Sequence, residues 1–219
     1  MGRRTYGQLC GIASALDVLG ERWTLLVVRE LLLGPQRFSE LLANLDGIGP
    51  NLLTERLRSL AEHGVIEGVA TAAATAQDGR ARSYRLTELG EQLREPVLQL
   101  GHWGMALLDG DENRQARAHW GFLAVQTMVR GNPVPDADEE YEFRIDGLHF
   151  HIAVEAGRPT ARKGPADRPA MVATSDAHTF VRIGAALITP FEAVTAGRLV
   201  LDGDPDAVVR CSRLLGLLP

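Results

Sequence analysis

Residues 37–93 constrain this chain more than any other stretch. Phe38, Leu41 and Leu42 recur at helical spacing, Asp46-Gly47-Ile48-Gly49 interrupts them, and Pro50 opens a second periodic run. In that run Leu53, Leu57, Leu60 and Ala61 make one apolar stripe. Proline suits the first turn of a helix, where its missing N–H would have had no partner. Gly64 is the residue type that ends helices in the left-handed conformation. The pattern therefore predicts helices over residues 37–45 and 50–63, joined by a tight turn. Farther on, Asp78-Gly79 has the composition of a two-residue hairpin turn. A ribbon centred there pairs Gln77 with Arg80, Thr75 with Arg82, Ala73 with Tyr84 and Thr71 with Leu86. Two helices, a turn and a ribbon make a winged helix-turn-helix, which can lay one helix in a DNA major groove and a hairpin beside it.

The flanking segments supply a small core and a candidate interface. Ile12, Leu16 and Leu19 predict a helix over 11–19. Residues 21–33, ERWTLLVVRELLL, are apolar on nearly every side, as the central helix of a core would be. Gly34-Pro35 ends it. Thr87 is placed to cap a long helix reaching Leu108, with Leu89, Leu93, Val97, Leu100 and Trp103 three or four residues apart. A helix so long and apolar needs a partner, and a second copy of the chain is the simplest one.

Candidate DNA contacts follow from these positions. Asn51, Thr54 and Arg58 lie off the apolar stripe of the second helix, where Asn can pair with adenine and Arg with guanine or phosphate. Arg37 and Ser39 begin the preceding helix, and a helix N-terminus can hold a phosphate. Arg80 and Arg82 sit near the ribbon tip, within reach of phosphate or the minor groove. The net charge of −5 supplies no global field for DNA. Residues 1–109 carry 11 Arg against 13 acids and residues 110–219 carry 12 Arg and Lys against 15 acids. Affinity must come from locally placed arginines. The single Lys among 23 cations points to a GC-rich, bacterial coding sequence.

The chain divides in two at DGDEN, giving expected domains over 1–109 and 110–219. The second half predicts an α+β arrangement, a sheet with one face covered by helices. Its helices are expected over 115–129, 176–187 and 205–218, with a further one opened by the capping box Thr189-Pro190-Phe191-Glu192. A hairpin around Asp146-Gly147 pairs Ile145 with Leu148, Phe143 with Phe150 and Tyr141 with Ile152, all six on one face. Strands over 159–163, 171–174 and 198–202 extend it. His149 and His151 share the opposite face as solvated strand surface, with no third ligand for a metal. The sequence has no phosphate-binding glycine loop, nucleophile elbow or partnered carboxylate pair, so no enzyme activity, cofactor or metal is expected. Apolar runs are too short for a membrane span. Two cysteines, Cys10 and Cys211, are too few for a disulfide framework, and a cytoplasmic location is expected. Cys10, near Arg3 and Arg4, is a redox-sensing candidate because cations favour the reactive thiolate.

Two stretches, LDVLGERWTLLVVRELLLGPQRFSELLANLDGIGPNLLTERLRSLAEHGVIE and YRLTELGEQL, with Cys10 just ahead, resemble the HxlR family of winged-helix regulators. The resemblance implies a homodimer joined through its terminal helices, a groove-reading helix starting at Pro50, and the Asp78-Gly79 hairpin as wing. The wing's first strand, VATAAATA, carries no cation. In the second half, FRIDGLHFHIAV and TPFEAVTAGRLVLDGDPDAVVRCSRLL are similar to the sterol carrier protein type 2-like fold. That likeness implies an apolar cavity for a lipid-like ligand. Phe143, Phe150, Phe180, Ile183, Leu187, Phe191 and Val194 are its lining candidates; taken alone, such residues equally make a solid core. The combination implies a homodimer on a pseudo-palindromic operator in double-stranded DNA, its affinity answering to a hydrophobic small molecule. The alternative is a lipid or hydrophobic-metabolite carrier in which the winged half only dimerises.

Overall fold

A computed structural model describes residues 5–70, 82–111, 113–129 and 131–218, except the side chains of Ala70 and Arg82. The chain forms two compact units, Met1–Val97 and Leu98–Pro219. The division falls inside a helix, upstream of the 109/110 boundary expected from composition.

The first unit contains α1 (Gly11–Leu19), α2 (Thr24–Leu31), β1 (Gln36–Arg37), α3 (Phe38–Asn44), α4 (Pro50–Glu62), β2 (Ile66–Ala70), β3 (Arg82–Leu86), α5 (Glu88–Glu91) and the start of α6 (Arg94–Met105). Its core is built from α2, α3 and α4. Val27, Val28, Leu31, Leu41, Leu45, Leu53, Leu57 and Leu60 are all at most 2% exposed. Helical spacing places these side chains on the facing stripes of three elements. Two expected core members lie outside it: Leu26 and Ala61 are exposed, at the edges of their stripes. α2 begins three residues later than its apolar run predicts because Trp23 takes φ +78°. A left-handed conformation costs a bulky residue about 1–2 kcal/mol. The indole is held there, against Gly47 of the α3–α4 turn and 5.4 Å below the Arg22 guanidinium. Gly47 itself takes φ +92°, which a side chain would oppose.

The three strands lie in the order β1-β3-β2, all antiparallel. Here the ribbon register departs from the turn-based expectation. Leu86 pairs with Ile66, Tyr84 with Gly68 and Arg82 with Ala70, not with Thr71, Ala73 and Thr75. An offset of five, being odd, exchanges the faces of the first strand. The register follows burial: Val65 and Ile66 leave α4 directly into the core, and Leu86 is buried opposite Ile66. The Asp78-Gly79 turn and the Gln77–Arg80 pair lie outside the described residues.

Thr87 does cap a helix, its Oγ1 accepting from the Gly90 N–H at 3.1 Å. That helix ends at Glu91, and α6 starts anew at Arg94, in place of one continuous helix to Leu108. Pro96 is the reason: with no N–H, its ring clashes with the carbonyl four residues back, at Gln92. Gly90 is also required, since a Cβ there would overlap the Val65 carbonyl.

The second unit adds α7 (Ala118–Met128), β4 (Glu139–Ile145), β5 (Leu148–Glu155), β6 (Arg158–Lys163), β7 (Pro169–Ser175), α8 (Ala177–Gly184), α9 (Pro190–Thr195), β8 (Leu199–Gly203) and α10 (Pro205–Leu214). The sheet order is β6-β5-β4-β7-β8, with β4 and β7 parallel. The β4–β5 hairpin has the expected pairs Ile145–Leu148, Phe143–Phe150 and Tyr141–Ile152. Asp146 and Gly147 both have positive φ, as a type I′ turn demands. α7 packs on β5 and β6, and α10 on β7 and β8. Beneath them Tyr141, Phe143, Ile145, Phe150, Ile152 and Met171 are almost wholly buried.

The opposite face of this sheet corrects the expectation of a solvated surface. His151 is 7% exposed and Glu142 1%. Residues 164–168 are tied to that face. His151 Nδ1 lies 3.0 Å from the Gly164 carbonyl, the Ala166 N–H donates to Glu142, and the Arg168 N–H donates to Glu140. Glu142 also accepts from Arg144 at 2.8 Å and lies 2.9 Å from His149 Nδ1. Burial alone would raise the Glu142 pKa, but the bonds from Arg144 and His149 hold it below the usual carboxylate range. Among the described residues no group of His, Cys, Asp and Glu could hold a metal. No helix among them is long and apolar enough to cross a membrane.

Candidate nucleic-acid interface

α4 presents a buried side and an open side. Leu53, Leu57 and Leu60 fix the first. Asn51, Glu55, Arg58 and Glu62 fall on the opposite ridge at spacings of four, three and four, and Thr54 and Ser59 flank it. Asn51 and Arg58 stand seven residues apart, about 10 Å along the axis, within the span of a major groove. Arg58 is the open cation of the ridge, its side chain 71% exposed and its Nε 3.8 Å from Glu62. So loose a pair on an exposed surface contributes little and leaves the guanidinium available. Thr54 is exposed, but its hydroxyl already donates to the Pro50 carbonyl at 2.9 Å and retains only acceptor capacity.

Arg56 has a different task. Its side chain is only 11% exposed; it donates to the Arg22 carbonyl at 3.1 Å and pairs with Glu21 at 3.3 Å. It anchors α4 to the segment before α2 and so fixes how the ridge is offered.

Arg37 and Ser39 are exposed at the start of α3. The Arg37 N–H donates to Glu40 Oε2 at 2.6 Å, so a carboxylate of the chain already occupies part of this helix N-terminus. Arg80 lies outside the described residues, and so does the side chain of Arg82, whose backbone ends the β3 ladder opposite Ala70. Arg22 is an exposed cation that the helix-turn-helix pattern does not single out. Its place beside α4 depends on the Arg56 tether, which joins residues 34 apart in sequence. Glu55, another ridge residue, can accept from cytosine N4.

Cys10 stands at the N-cap position of α1 without a side-chain capping bond and is exposed. The nearby Ala13 and Ile12 backbone amides lower its pKa. In the second unit the structure brings Phe143, Phe150 and Phe180 together with Phe122. Phe143 stacks on Phe150 at 5.4 Å, and Phe180 meets both edge-on at 5.7 and 6.0 Å. Ile183 is buried and Leu187 half-buried, whereas Phe191 and Val194 are 79% and 43% exposed on α9.

The HxlR-like helix-turn-helix model matches residues 18–112, which hold α2 to α6. The HTH-type transcriptional regulator YvaP of Bacillus subtilis is 34% identical over 95 residues, 43% of this chain and 84% of YvaP. The chain belongs to the HxlR-like helix-turn-helix family. The regulator Rv3095 of Mycobacterium tuberculosis H37Rv is 41% identical over 93 residues, 42% of this chain and 56% of its own. This HxlR-like chain thus spans about half the length of the mycobacterial relatives it matches. The solved structure of PA1607, assigned as a transcription factor, is 31% identical and covers 60% of this chain and 84% of its own, with a TM-score of 0.43.

Proposed function

We propose that this HxlR-like protein is a homodimeric transcription regulator whose affinity for a pseudo-palindromic operator is modulated by a hydrophobic small molecule. In this reading residues 1–109 bind DNA and dimerise, and residues 110–219 form a sterol carrier protein type 2-like ligand domain. The observation that carries it is α4, packed by Leu53, Leu57 and Leu60 and offering Asn51, Thr54 and Arg58 outward, in a chain of a helix-turn-helix family. Arg37, Ser39, Arg80 and Arg82 add contacts to the flanking backbone. Dimerisation is supported by exposed apolar residues: Ile12 and Leu16 on α1 with Leu9 just before it, and Leu100 and Trp103 on α6 with Leu107 just after it. Two recognition helices related by a two-fold axis read half-sites about 34 Å apart. The aromatic cluster of Phe143, Phe150 and Phe180, with Ile183, Leu187, Phe191 and Val194, is the part of the second unit assigned to the ligand. Cys10, exposed at a helix start, is assigned to redox sensing.

Fluorescence anisotropy with DNA from upstream of the protein's own gene, across a salt series, tests the DNA arm. Binding should beat random DNA and weaken steeply with salt. Arg58→Ala should lose about 1–3 kcal/mol of that binding. Unchanged binding by Arg58→Ala would refute the assigned face. Ligand modulation must be reciprocal, so operator must change ligand affinity by the factor by which ligand changes operator affinity.

The carrier reading draws on Glu55 and Glu62, which put two acids beside Arg58 on the open ridge. It predicts that Arg58→Ala changes nothing and that operator binding never exceeds random DNA.

A further inference from the structure

The five-stranded sheet of the second unit has two edges, and they differ in chemistry. β6 carries Pro159 with Arg158, Arg162 and Lys163, the proline and cations that deter a further strand. β8 reads Leu199-Val200-Leu201-Asp202-Gly203, with an apolar centre, and pairs with β7 alone. Along a strand, alternate residues turn both backbone groups to the same neighbour. Two bonds fix which residues do so here. The Asp204 N–H donates to the Ala170 carbonyl at 2.9 Å, and the Asp146 N–H to the Ser175 carbonyl at 3.2 Å. The backbone groups of Ser175 thus point to β4 and those of Thr174 to β8, where Val200 is its partner. Val200 and Asp202 therefore face β7, and the N–H and C=O groups of Leu199 and Leu201 point off the edge.

The side chains of this edge form a symmetric pattern. Leu199 is buried and Leu201 half-buried, while Arg198, Val200 and Asp202 are exposed on the opposite face, Val200 by 50%. Among the described residues no carboxylate pairs with Arg198. Asp202 lies near Arg144, whose close partner is Glu142. From residue 198 to 202 the order is cation, Leu, Val, Leu, anion. Laid antiparallel on a second copy about Val200, that order complements itself. Leu199 of each copy meets Leu201 of the other as a hydrogen-bonded pair, which uses the outward groups. Arg198 of each copy meets Asp202 of the other, and opposite charges across a ladder attract. A slip of the centre by one residue either way sets Val200 against a charge.

We propose that β8 is a self-association edge, at which two copies of the chain join their sheets antiparallel about Val200. The contact is isologous, the same strand serving both copies. Five residues from each copy bury too little surface to hold a dimer alone, so the edge adds to the association assigned to α1 and α6. It requires neither the DNA reading nor the ligand reading.

The test is disulfide trapping in the full chain carrying Cys10→Ser, which leaves only the buried Cys211. Val200→Cys in that background sets two thiols at a non-hydrogen-bonded pair, with Cα atoms about 4.5 Å apart, a spacing that a disulfide spans. Val209→Cys, at a 38% exposed position of α10, is the control. Under mild oxidation Val200→Cys should form covalent dimer about tenfold faster than the control, as a pre-aligned pair does. Adding Arg198→Asp should slow this about threefold by setting like charges opposite each other. Adding Asp202→Arg as well should restore it, which chance collision of thiols would not do. Thermal melts check that the variants fold. In the unmodified chain, amide exchange in peptides covering β8 should slow as protein concentration rises. Equal trapping at positions 200 and 209, trapping at 200 that ignores the charge reversal, or exchange independent of concentration would each overturn the proposal.

Discussion

At the scale of single residues, the two cysteines show how position sets chemistry. Cys10 and Cys211 are the same side chain in opposite surroundings. Cys10 sits exposed at the start of α1, where backbone amides favour the thiolate. Cys211 is buried under α10, where desolvation, and then the nearby Glu139 charge, push its pKa far up. Native protein treated with iodoacetamide should therefore be alkylated at Cys10, at lower pH than a free cysteine requires. Cys211 should react only in denaturant. Peptide mass spectrometry reads both, and comparable native labelling of the two would contradict the assignment. The position of Cys10 before a helical run is legible in the sequence. The burial of Cys211 is foreshadowed by the amphipathic pattern of its helix, but its neighbour Glu139 comes from a strand 72 residues earlier and is not.

At the scale of elements, legibility tracks how local the deciding interaction is. α4 is bounded by Pro50 and Gly64 and striped at helical period, so it is readable. So is the β4–β5 hairpin, whose Asp146-Gly147 turn and alternating pattern agree. The wing register is not, because Asp78-Gly79 suggests one pairing while the burial of Ile66 and Leu86 imposes another. The burial of His151 is hidden because its cover, residues 164–168, lies on a later segment. Glu142 is the hub of that cover, and its effect has a definite sign with pH. Its folded pKa lies below the unfolded value near 4.3. The stability it contributes is thus present above that value and lost as pH falls through the lower folded pKa. Glu142→Gln should cost about 1–3 kcal/mol at neutral pH, chiefly through the buried hydrogen bonds, because Arg144 is itself 46% exposed and screened. The gap between variant and wild type should narrow as melts are taken down to about pH 3, well below the unfolded glutamate value. A gap that stays constant over that range would show that the carboxylate charge is not the source.

At the scale of the whole molecule, the apolar residues at α1 and α6 call for a cover. Trp103 is 64% exposed and Ile12 74%, and large exposed apolar side chains set in stripes mark association surfaces. Sedimentation should show a dimer, and Trp103→Asp or Ile12→Asp should shift it toward monomer. A monomer reaches one half-site only and neutralises fewer phosphates. Its operator binding should depend less steeply on salt, by about 0.9 in the logarithmic slope for each phosphate left unneutralised. A monomeric wild type would end the two-fold model. The sequence by itself determined the helix-turn-helix, the β4–β5 hairpin and the outward face of α4, because periodicity, caps and turn chemistry act within a few residues. Only the tertiary structure decided the wing register, the tether of Arg56 and the cover over His151. Those depend on burial and hydrogen bonding between segments far apart in the chain, which no local pattern encodes.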